Sequence, residues 1–169
     1  MSAPAPLVVV AVPPLPPCVV WPVPPRSALP APGEHLVDPG RSTVSLSVRR
    51  WGRWLRFTSP VAGRMWAEPS TELAVDLTVD LAELAAGTGP GMWIAAAHPT
   101  ALMGVWVLQG SAEICGVRRP LTLWLDPVDR RPDGETQLTA TGSFDGRDVG
   151  LPAPVAARRV RVDVSLVMF

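Results

Sequence analysis

The chain has 169 residues, enough for one domain with its own core. Its 15 basic and 15 acidic residues cancel, which argues against nucleic acid as the main partner, since phosphate binding needs a net basic surface. Every basic residue is arginine, which excludes lysine chemistry; two cysteines and two histidines, far apart in sequence, give no disulfide framework and no metal-ligand cluster, and no cofactor is expected.

Residues 1–32 hold 11 of the 21 prolines. Proline fixes φ and removes an amide donor, so this stretch is read as a disordered tail before a domain at 33–169. The spacing at Pro13–Pro16 would suit an aromatic groove on a partner, although a bland tail is the simpler reading. No Lys or Arg precedes the apolar run, and Leu7–Val12 is too short for a signal-peptide core or a membrane span. A cytoplasmic protein without a transmembrane segment is expected.

From Gly33 the dominant period is two. Val44, Leu46 and Val48 share a face opposite Thr43, Ser45 and Ser47. Trp54–Ser59 and Val61–Trp66 read as two strands separated at Pro60, after a turn at Trp51-Gly52. Leu73, Val75, Leu77 and Val79 alternate with Ala74, Asp76 and Thr78. The stretches Asp80–Ala86 and Met92–Ala97 have helix-friendly composition broken by Gly87, Gly89, Pro90 and Gly91, so one or two helical turns are expected there. Trp106–Ile114 and Leu121–Leu125 follow, the second with Leu121, Leu123 and Leu125 opposite Thr122 and Trp124. Leu138, Ala140, Gly142 and Phe144 form one face after the Asp133-Gly134 turn, and Val160, Val162, Val164 and Leu166 form another after Asp145-Gly146. Alternation over this many segments predicts antiparallel strands in an all-β domain, closed into an up-and-down barrel because closure removes exposed edges.

Several segments resemble the YceI-like family. Asp38-x-x-x-Ser42 before VSLSVRRWG is similar to that family's opening strand, WVLQGSAEICGVRRPLTLWL to its Gly-Val-Thr-Arg-Pro segment, and FDGRDVGL to its Arg-x-Asp-Phe-Gly segment through Arg147, Asp148 and Gly150. The resemblance covers about Leu36–Phe169 and implies an eight-stranded, lipocalin-like antiparallel barrel that binds polyisoprenoids or other lipids in its interior. The chain departs from the pattern at Arg41 and Arg50, which stand where the family has histidine, and in residues 84–99, which are shorter and uncharged.

The expected function is non-catalytic carriage of a long apolar molecule, an isoprenoid or other lipid. The channel would be lined by Val44, Leu46, Val48, Leu73, Val75, Leu77, Leu121, Leu123, Leu125, Leu138, Phe144, Val160, Val162 and Val164. Arg50, Arg53, Arg118 and Arg147 are the candidates to meet an anionic head group, because guanidinium suits bidentate phosphate contact. Arg49, Arg50, Arg53 and Arg56 also interleave with Trp51 and Trp54, as a basic aromatic rim or as a solvated hairpin tip. Arg118 and Arg119 beside Pro120 read as a turn that starts a strand, Arg147 and Asp148 as a local ion pair, and Cys115 as a small core residue. His98, before Pro99, has no nucleophile placed beside it by any motif, so no catalytic residue is assigned. Two other readings are an enzyme with an apolar chamber for cyclisation or isomerisation, and a scaffold whose tryptophans bind protein. Exposed tryptophan would mark a dimer face or a membrane-surface contact.

Overall fold

A computed structural model describes residues 21–81, 91–151 and 156–169. After a short 3-10 turn at Arg26–Ala28 come ten strands: β1 (Gly33–Leu36), β2 (Thr43–Arg50), β3 (Arg53–Ala67), β4 (Leu73–Val79), β5 (Met92–Leu102), β6 (Val105–Ile114), β7 (Val117–Leu125), β8 (Asp129–Arg130), β9 (Thr136–Phe144) and β10 (Val160–Met168). Eight of them close an antiparallel barrel in the order β2-β3-β4-β5-β6-β7-β9-β10, with β10 returning to β2 through pairs such as Val162↔Leu46. The all-β barrel read from the alternation is the fold of the protein, and its eight strands are the number the resemblance implies. β1 continues the line of β2, pairing with the far half of β3, and the two-residue β8 attaches to β9.

The period-two pattern places one apolar face of each strand inside. Pairs such as Leu108↔Leu123, Leu77↔Ile94 and Val164↔Ala140 bring these faces into common layers. Gly63, on the inward face of β3, has φ 151°, and a Cβ there would lie 2.2 Å from the carbonyl oxygen of Asp76. Glycine is therefore what lets β3 and β4 approach.

Four expectations change. Met92–Ala97 is strand: Met92, Ile94 and Ala96 are buried while Trp93, Ala95 and Ala97 look outward, so pairing with β4 and β6 overrides the helix propensity of alanine. The rest of that connection, residues 82–90, lies outside the described residues. Pro60 does not divide β3, because β4 pairing begins only at Val61 and Pro60 has a strand neighbour on one side alone. The turn before β7 is Cys115-Gly116, both with positive φ, so β7 begins at Val117; Arg118, Arg119 and Pro120 lie within it, where β9 does not yet pair. Cys115 is exposed in that turn, not in the core.

The fourth concerns the Pro-rich segment. The structure describes it from Trp21, and residues 21–32 strap one end of the barrel. Leu29 is wholly buried in the core. Trp106 Nε1 donates to the Pro25 carbonyl at 3.1 Å, Arg26 Nη2 to the Glu68 carbonyl at 2.8 Å, and Arg130 Nη2 to the Leu29 carbonyl at 2.7 Å. A boundary at residue 32 therefore cuts through a packed unit. The tail expected at residues 1–20 lies outside the described residues.

Candidate functional site

Every residue proposed to line the channel faces the interior, and none exposes more than 5% of its surface. These side chains pack against one another and leave almost no free surface inside the barrel. The interior is a core filled by leucine, valine, isoleucine and methionine, one of the two states open to an eight-stranded barrel. A chain-shaped guest would enter only if these side chains moved aside.

The head-group candidates do not assemble. Arg118 donates to Glu113 at 3.0 Å and lies over the Trp93 ring. Arg147 pairs with Asp145, not with Asp148, through Nε and Nη2. That pairing, helped by the Arg147 amide, holds the Asp145 carboxyl well below the usual carboxylate range. Arg50 stacks on Trp51 at 5.9 Å, and Arg53 lies opposite Arg50 at the exposed hairpin tip. His98 sits exposed in a bulge of β5, 3.2 Å from Glu72 Oε2.

A different arginine cluster forms on the outer wall. Across β7, β9, β10, β2 and β3, the register places Thr122, Ser143, Arg161, Ser47 and Arg56 in one row. Trp124 and Thr141 lie one step along, and Arg49 faces Trp54 at the other side. With strands about 4.8 Å apart, the row spans roughly 19 Å. Above it, Arg158 and Arg159 arrive from the β9–β10 connection, whose Ala157 carbonyl accepts from the Gly146 amide. Apart from Ser47 and Arg56, these residues line an open groove of about 790 Å³.

Its floor is polar and small: Thr122, Thr141, Ser143 and the backbone of Gly142. Trp54 and Trp124 supply apolar rings at opposite ends. Arg161 is tied to Asp163 at 2.8 Å, whereas Arg49, Arg158 and Arg159 have no carboxylate partner among the described residues. The groove is thus net cationic, with three guanidinium groups free for an incoming anion. Its volume is that of an ordinary small-molecule site.

Of the residues that line the groove, only Arg49 and Trp54 belonged to the rim read from sequence. Arg158, Arg159 and Arg161 were missed; the one local signal is an arginine pair directly before an alternating strand. The described residues hold no cluster of metal-ligating side chains and no helix long and apolar enough to cross a membrane. The fold and site together define a closed antiparallel barrel with a filled interior and a cationic, tryptophan-flanked groove on its wall. No protein-family model matches the chain, and no curated protein matches it.

Proposed function

We propose that this chain is a YceI-like barrel that binds an amphiphile without transforming it, an isoprenoid or other lipid with an anionic head. The observation that carries the reading is the convergence of Arg49, Arg158 and Arg159, without carboxylate partners among the described residues, beside Trp54 and Trp124. Guanidinium groups fix a phosphate or carboxylate head, and the indole rings cover part of an apolar body. The groove favours binding over catalysis. Its hydroxyls come from Thr122, Thr141 and Ser143, and the neighbouring carboxylate of Asp163 is engaged by Arg161, so among the described residues lining the groove no free general base stands beside them.

This reading keeps the class of ligand that the family resemblance implies and moves its place from the interior to the wall. Interior carriage would require Leu121, Leu123 and their neighbours to leave a packed core, at the cost of the contacts they make now.

The test is titration with farnesyl diphosphate and, as a headless control, farnesol, read by isothermal calorimetry. Saturable binding of the diphosphate, weakened at least tenfold in the Arg158→Gln/Arg159→Gln variant, supports the groove. Equal affinity for both molecules, or binding indifferent to these arginines, would sink it.

A further inference from the structure

The β2–β3 hairpin is chemically one-sided. From Thr43 to Ala67 it carries Arg49, Arg50, Arg53, Arg56 and Arg64 and no acidic residue. At its tip Trp51 and Gly52 have φ of 46° and 76°, a two-residue turn with both residues left-handed. That conformation favours Asn, Asp or Gly, and a bulky aromatic pays strain to adopt it. Yet Trp51 is 93% exposed, with the Arg50 guanidinium 5.9 Å from its ring. Among the described residues, none covers the ring. Trp54, 62% exposed, follows on the same hairpin.

We propose that this tip docks on an anionic lipid bilayer. Trp51 would sit at head-group depth, where an indole buries its apolar body and keeps its N–H wet. Arg50 and Arg53 flank it to meet lipid phosphates, with Arg49 one residue back opposite Trp54 and Arg56 farther along β3 opposite Ser47. Arg158 and Arg159 extend the positive surface from the neighbouring connection. Asp163, opposite Ser45 on β2, is paired with Arg161, and Asp145, beside Arg158 and Arg159, is paired with Arg147. A bilayer fits better than a nucleic acid because the tip is convex and its apolar reach is concentrated at one point. A strand of bases would need a row of stacking rings in a groove.

The docking surface shares Arg49, Arg158 and Arg159 with the groove, but the tip residues Trp51, Arg50 and Arg53 do not line it, so substitutions at the tip separate the two readings. The experiment is flotation of the full chain with vesicles of phosphatidylcholine and phosphatidylglycerol in equal parts, beside vesicles of phosphatidylcholine alone. Partition onto the anionic vesicles is expected, falling as salt rises. Trp51→Asn suits the left-handed turn, so the fold is kept, and should weaken partition roughly tenfold through lost apolar burial. Arg50→Gln and Arg53→Gln should each weaken it roughly fivefold. All three variants should bind farnesyl diphosphate as the parent does. Absence of partition, or partition unchanged in Trp51→Asn, overturns the proposal. So does a single-stranded oligonucleotide that displaces the vesicles and depends on Trp51, which would make the tip a nucleic-acid surface. Loss of farnesyl diphosphate binding in the parent would overturn the groove alone.

Discussion

Replacing Leu123 in both directions tests whether the barrel is filled. Leu123 sits in the C-terminal half of β7, opposite Leu108 on β6 and Gly142 on β9, and is 2% exposed. Leu123→Ala removes three carbons beside a glycine that has no side chain to move into the gap. The cavity should therefore persist, and the loss should be about 3–5 kcal/mol. Leu123→Trp adds volume where there is no slack: a Cβ built on Gly142 would already lie 3.1 Å from Leu123 Cδ2. Overpacking should cost about 1–3 kcal/mol. At roughly 4 °C per kcal/mol for a domain of this size, the two variants should melt about 12–20 °C and 4–12 °C below the parent. Urea unfolding followed by circular dichroism gives the free energies, and a thermal scan gives the shifts. A tryptophan variant that melts with the parent would refute the packed interior and restore a channel beside Leu123. A packed core resists change in both directions, whereas a hollow one resists only the smaller side chain.

Leu29→Ala should cost about 2–4 kcal/mol, because Leu29 is a core residue although it lies in the Pro-rich segment. A melt unchanged by this substitution would mean that the strap does not hold the barrel. Glu135, 3% exposed, accepts from Arg41 Nη2 at 3.0 Å and pairs with Arg131 at 3.1 Å. Arg41→Ala leaves that buried carboxylate one partner short and should lower stability; a double-mutant cycle with Glu135→Gln that shows no coupling would contradict the pairing. The Asp145 carboxyl, depressed in the folded state by Arg147, contributes stability above the ordinary aspartate range. That contribution is lost only as pH falls through the depressed value. In carboxyl-carbon NMR, Asp145 should stay ionised where other aspartates have titrated and return to their range in Arg147→Ala; an ordinary titration in the parent would dismiss the pair.

The barrel was readable because its information is local. Val160, Val162 and Val164 point inward by strict alternation, whatever strand lies beside them, and hairpin turns such as Asp133-Gly134 mark where the chain reverses. Reading failed where a neighbour decides. Met92–Ala97 looked helical because alanine favours helix, and only β4 and β6 make it a strand. Leu29 looked like tail because prolines surround it, and only the mouth of the barrel makes it core.

The groove illustrates the same limit at the level of chemistry. Arg49 and Arg161 are 112 positions apart in the numbering, yet the register puts Arg161 opposite Ser47, two residues from Arg49. A shift of one residue in the β10–β2 pairing would set the alternation out of step and bury the guanidinium of Arg161. The cationic wall therefore depends on the same pairs, Val162↔Leu46 and Val164↔Val44, that close the barrel and pack its interior. A substitution that loosens those layers should weaken anion binding on the wall even though it touches no groove residue. Val162→Ala, an interior change behind the arginine row, should lower farnesyl diphosphate affinity alongside stability, while Val75→Ala on the remote β4 should lower stability alone. Equal effects of the two on affinity would mean that the groove does not draw its geometry from the β10–β2 register.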